Sequence, residues 1–111
     1  MNLYRWQPPM ILAAALVLTA SAARADDGAE LVDQARCYAC HHETDASLGP
    51  PYRAIALRHA ARREVMLEVL ARKIVYGGGG NWGLVPMVPN GHVTLEDART
   101  MAVWILALAD E

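Results

Sequence analysis

Cys37-Tyr38-Ala39-Cys40-His41 is the stretch that decides how the rest of this chain is read. Two cysteines three positions apart on one helical turn point to the same side. Their sulfurs can form thioethers with the two vinyl groups of a single porphyrin. The histidine beside the second cysteine is then held under the ring, with an imidazole nitrogen aimed at iron. C-x-x-C-H is accordingly the attachment pattern of a c-type haem. Other uses of the same residues fit less well. A thioredoxin-like C-x-x-C wants a βαβ pattern nearby, and the chain has no strand-length alternating segment. A zinc site wants further ligands at suitable spacing, and beyond the Cys-His cluster only His59 and His92 remain. A disulfide across C-x-x-C closes a very small loop and stabilises little.

Upstream of the motif, Met10–Leu18 is an unbroken apolar run that small residues continue to Ala23. Ala23-Arg24-Ala25 is an A-x-A cleavage pattern, and Asp26-Asp27 follows at once. This layout predicts a secretory signal peptide over residues 1–25, cleaved after Ala25, and one domain over 26–111. The apolar run is shorter than the roughly 18 residues a membrane span requires, and no second long run follows. The mature chain is therefore expected outside the membrane. Export from a bacterium places it in the periplasm, which also suits covalent haem.

At 111 residues the chain is of single-domain size. What remains after the leader buries only a modest core, and chains that small commonly rely on a disulfide, a metal or a cofactor. There is no Phe, and Lys73 is the single lysine. The whole chain has a net charge of −2, and removing Arg5 and Arg24 with the leader makes it −4. That balance excludes a strongly basic nucleic-acid binder.

The hydrophobic spacing downstream reads as all-α. Asp27-x-x-Glu30 looks like a capping box opening a short helix with Leu31, Val32 and Ala35 on its apolar side. Residues 43–52 are rich in turn formers. A short helix is expected over 53–60 and a longer one over 64–76, where Val65/Val69 and Met66/Leu70/Ile74 recur at four-residue spacing. Gly77 stands where a helix C′ residue belongs, and the four glycines 77–80 exclude helix or ordinary strand. A loop containing Pro86 and Pro89 leads to a second capping box, Thr94-Leu95-Glu96-Asp97. The last helix then carries Leu95, Ala98, Met101, Ala102, Ile105, Leu106 and Ala109 on one face.

A second axial ligand decides between carrying electrons and binding gases or peroxide. The candidates are His42, His59, Met66, Met87, His92 and Met101. Met66 and Met101 sit on apolar helix faces and read as core. His42 follows the proximal ligand directly and cannot reach the other face of the ring. His59, beside Arg58, Arg62 and Arg63, reads as part of a solvated face. Met87 lies in the loop Val85-Pro86-Met87-Val88-Pro89-Asn90, bracketed by prolines. A thioether is a weak, soft ligand that needs a stiff loop, and proline fixes φ on both sides.

The ordered set of motifs resembles the short, monohaem class I cytochromes c of bacteria. It comprises C-x-x-C-H at 37–41, Gly49-Pro50 with Tyr52, and Lys73-Ile74-x-x-Gly77. Gly-x-Trp-Gly-x-x-Pro-Met follows around Trp82 and Met87, then Pro89-Asn90, and finally Ala102-x-Trp104-Ile105-Leu106. The resemblance implies the cytochrome c fold: three to five short helices wrapped around one covalently bound haem c, with its iron held by His41 and Met87. It implies that Pro50 packs against His41 with its carbonyl accepting the ring N–H. It further implies that Lys73 and Trp82 contact a haem propionate, and that the Asn90 amide orients the methionine ligand. The first and last helices should cross near Trp104 and Ile105.

The expected function is that of a soluble, monomeric periplasmic electron carrier and not an enzyme. It would cycle between Fe(III) and Fe(II) in a respiratory chain, with nitrite reductases, terminal oxidases or other cytochromes as partners. Two alternatives share parts of this pattern. One is a haem c subunit of a larger oxidase or dehydrogenase complex. The other is a haem enzyme or sensor with a labile sixth ligand.

Overall fold

The computed structural model describes residues 25–111, so the leader expected over 1–25 lies outside the described residues except for Ala25. Four α-helices form within this range: α1 Ala25–Gln34, α2 Tyr52–His59, α3 Arg63–Tyr76 and α4 Leu95–Ala107. Single 3₁₀ turns occupy Cys37–Ala39, Ala60–Arg62 and Leu108–Asp110.

The spine is α4, which packs against α1, α2 and α3. Its apolar face is the expected one, with Ala98, Met101, Ala102, Ile105 and Leu106 all buried. Thr94 caps the helix as expected: the Asp97 backbone N–H donates to Thr94 Oγ1 at 3.1 Å, which satisfies one of the helix's orphan donors. On α1 Asp27 does not stand at the expected N-cap position, because the helix already includes Ala25 and Asp26. An acid pair three apart is as compatible with successive turns of a helix as with its start.

Helices α1 and α4 cross where Gly28 meets Trp104. A Cβ on Gly28 would collide with Trp104 Cβ and stand 2.8 Å from the Thr100 carbonyl oxygen. Backbone-to-indole contact thus sets their separation, with Val32 completely buried one turn on. On α3, Met66, Ala71 and Ile74 face inward, whereas Val65 and Val69 are 60% and 48% exposed. The row Met66/Leu70/Ile74 is therefore the working face, and Val65/Val69 lies at its outer margin. Two-pronged ion pairs fasten the outside: Arg99 to Glu68 at 2.8 and 3.1 Å, and Arg63 to Asp110 at 2.8 and 2.9 Å. Exposed pairs of this kind contribute little each.

Candidate haem cleft

Everything singled out in the motif converges on one cleft of about 600 Å³, within the usual range for small-molecule sites. Arg36 ends α1 in the left-handed conformation, at φ 60 and ψ 30, and turns the chain into the 3₁₀ turn Cys37–Ala39. Backbone N–H groups of Cys40 and His41 donate to the Cys37 carbonyl at 3.1 and 2.9 Å. Cys37, Cys40 and His41 all line the cleft. Burial pushes the Cys37 thiol above its ordinary range, against a lowering by the neighbouring Tyr52 hydroxyl.

The segment between His41 and α2 folds back on the motif. The N–H groups of Gly49, Tyr52 and Arg53 donate to the carbonyls of Cys40, His42 and Glu43 at 2.8, 2.9 and 3.0 Å. This places Pro50 so that its carbonyl oxygen lies 2.7 Å from His41 Nδ1. A carbonyl can only accept, so Nδ1 carries the proton and Nε2 keeps its lone pair for a metal. The imidazole is wedged from both sides. Tyr52 stacks on it at 5.2 Å and 22°, and a Cβ on Gly49 would lie 2.5 Å from His41 Cε1. Tyr52 itself is 3% exposed, and edge-on contacts with Tyr38 and Trp104 complete the cluster. Its hydroxyl is buried without an oxygen or nitrogen partner, and burial drives its pKa far up.

Met87 reaches the same cleft from the proline-bracketed loop. Proline stiffness is only part of what holds it. Met87 and Gly78 exchange both backbone hydrogen bonds at 2.9 Å, forming an isolated antiparallel bridge. Next to the bridge, Gly77 has φ 67 and ψ −154, a region that is essentially glycine-only. A Cβ there would run into the Met87 carbonyl oxygen. Asn90 makes two bonds to the end of α3. Its amide donates to the Ile74 carbonyl at 2.9 Å and its N–H to the Val75 carbonyl at 3.0 Å. It therefore fastens the methionine loop to the end of α3, where the helix's last carbonyls lack intrahelical donors.

The cleft mouth is basic. Lys73 and Trp82 line it, and so do Arg36, Arg58 and His59; no Asp or Glu does. Lys73 Nζ lies 3.0 Å from where a Cβ on Gly78 would stand. His59 is thus not on a solvated face. It is half-buried, and desolvation together with Arg58 and Arg62 lowers its pKa. Nor do Arg58, Arg62 and Arg63 make one basic patch, because Arg63 pairs with Asp110 and Arg58 covers the Trp82 ring. Arg58 was missed as a site residue. Its signal was its position three residues after Ile55, on the α2 face that meets the cleft.

The donor set therefore fits a haem: two thiols one turn apart, an imidazole with a free nitrogen, a thioether, apolar walls and cations at the rim. No family profile matches the chain. It is 40% identical over 96 residues to cytochrome c-552 of Nitrosomonas europaea, covering 86% of this chain and 90% of that protein. The chain belongs to the small class I monohaem cytochromes c. Cytochrome c-551 of Allochromatium vinosum is 37% identical over 78 residues, 70% of this chain and 82% of the relative. The crystal structure of Nitrosomonas europaea cytochrome c552 superposes with a TM-score of 0.68 at 39% identity, covering 72% of this chain and 98% of that one. Like other cytochromes of its family, this one is a small electron-transfer protein with one covalently attached haem c and its iron.

Proposed function

We propose that residues 26–111 act as a monomeric periplasmic electron carrier, exported by a leader over residues 1–25 that is cleaved after Ala25. In this reading Cys37 and Cys40 carry the thioethers, and His41 and Met87 are the axial ligands. Haem supplies a one-electron Fe(III)/Fe(II) couple. The chain's own residues fix the ligands, exclude water and shape the rim. The Pro50 carbonyl holds His41 in the tautomer that leaves Nε2 free and raises its basicity. The Gly78 bridge and Asn90 keep the Met87 sulfur at a constant position. A ligand set that does not move between oxidation states keeps reorganisation small, which is what a carrier needs.

The observation that carries this reading is that His41 and Met87, 46 positions apart in sequence, line one apolar cleft and are each immobilised by backbone hydrogen bonds. Lys73 and Trp82 at the mouth would meet a propionate, whose charge is costly to bury unpaired. Partners would dock on the exposed apolar loop: Leu84, Val85 and Val88 are 101%, 64% and 68% exposed. Nitrite reductases, terminal oxidases or other cytochromes suit such a brief, small contact.

Carbon monoxide tests the reading. The reduced holoprotein should not bind it, because both axial positions are filled. Rapid formation of an adduct would favour a haem enzyme or sensor with a labile sixth ligand. Cell fractionation should recover the haem protein in the periplasm with Asp26 at its N-terminus.

A further inference from the structure

Haem c carries two propionates, and the cleft mouth offers two long cationic side chains from different helices. Lys73 comes from α3 and Arg58 from α2. The Arg58 guanidinium stands 4.4 Å from the centroid of the Trp82 ring, and its Nη1 donates to the Asn81 carbonyl at 2.8 Å. Those contacts use one face and one N–H of a group that has five donors. Among the described residues, the arginines engaged in carboxylate pairs are Arg63, Arg72 and Arg99, and Arg58 is not one of them. A guanidinium oriented by an aromatic face, with donors to spare and no acid among the residues lining its cleft, is built to take a carboxylate in the planar two-pronged manner.

We propose that Arg58 is a propionate-binding residue, held in register by its stack on Trp82. This rests on the haem reading above and extends it. Lys73 serves one carboxylate as a point charge, while Arg58 grips the other and locks the Asn81–Trp82 loop over the cleft mouth. A purely structural alternative gives Arg58 only the loop contacts. The two roles differ in whether the residue acts on a proton equilibrium of the haem.

The test uses the holoprotein. Its alkaline pyridine spectrum first establishes haem c; a chain without that spectrum overturns the haem reading and this proposal together. The reduction potential is then followed against pH. The charged groups lining the site are Arg36 from the cysteine turn, Arg58 and His59 from α2 and Lys73 from α3, and Arg62 from the turn after α2 acts on His59. The loop 77–91 contributes none. His59 also lines the cleft and is itself influenced by Arg58, so the comparison is made in a His59→Gln background. There, Arg58→Gln should move the proton-linked step of the potential upward by about one to three pH units, the effect of removing an opposite charge at close range. Arg58→Lys should restore most of the shift. Superimposable curves for parent and Arg58→Gln overturn the proposal, whatever happens to Trp82 fluorescence. Equal shifts in Arg58→Gln and Arg58→Lys overturn it too, because charge would not be the cause.

Discussion

Gly78 and Met87 exchange both of their backbone hydrogen bonds at 2.9 Å, in a chain that otherwise has no β pairing among its described residues. The bridge joins the end of α3 to the loop that presents the methionine. It needs Gly77 to adopt a backbone conformation closed to other residues. The run of glycines is therefore part of the ligand's mounting.

Gly77→Ala should cost about 1–3 kcal/mol, the usual expense of a forced backbone at such a position. The loss should concentrate in the methionine loop. Stopped-flow mixing of the reduced variant with carbon monoxide should give an adduct that the parent does not form. A variant as stable and as closed as the parent would show that the bridge is dispensable.

Gly49→Ala places a methyl 2.5 Å from His41 Cε1. Something must shift, and overpacking of this kind typically costs about 1–3 kcal/mol. Because the imidazole is also tied to Pro50 and stacked on Tyr52, its tilt should change with it. Denaturant titration and the electronic spectrum of the holoprotein should both move. Pro51→Ala, beside the same turn but with no role assigned to it, should leave the spectrum alone.

The cleft is large for so small a chain, and α1, α2, α3 and α4 all border it or its floor. Filling it with a covalently attached group is expected to be part of folding, as in small metallo-domains that unfold without metal. Replacing Cys37 and Cys40 together by Ser should give a largely unfolded or degraded chain. A cooperative melt of the haem-free variant close to that of the holoprotein would defeat this expectation.

Docking through the apolar loop predicts weak salt dependence, since charge steering is screened beyond about 10 Å at 0.1 M salt. Electron transfer to the native acceptor should fall only modestly as salt rises. Val85→Lys or Val88→Lys should slow it more than Arg62→Glu. Steep salt dependence abolished by Arg62→Glu would move the docking surface to the basic side.

Much of this arrangement was legible in the sequence, and the reasons differ by residue. Helical spacing exposed the buried face of α4, and Thr94 marked its start, because caps and apolar stripes are local properties. The thiols and His41 were legible because their chemistry demands a fixed spacing. Met87 stood out because prolines bracket it. What escaped was whatever depends on two distant segments meeting. Gly28 is required by Trp104, Gly49 by His41, and Gly78 pairs with Met87. None of these glycines announces its partner. Asp27 misled because acids three apart serve a helix interior as readily as a cap. His59 and Arg58 read as solvated because a cluster of arginines looks so in sequence, although α2 turns both toward the cleft. Asn90 carried an amide whose bond to the Ile74 carbonyl depends on α3 ending beside the methionine loop, which the sequence does not show.

The central claim is that Met87 is the second axial ligand, and the spectrum of Met87→Ala tests it most directly. The oxidised parent should show the sulfur-to-iron charge-transfer absorption. The variant should lose it, fall in reduction potential because a thioether stabilises Fe(II), and bind carbon monoxide when reduced. A His42→Ala control should retain the parent spectrum. A Met87→Ala protein that keeps the parent's absorption and stays closed to carbon monoxide would contradict the account.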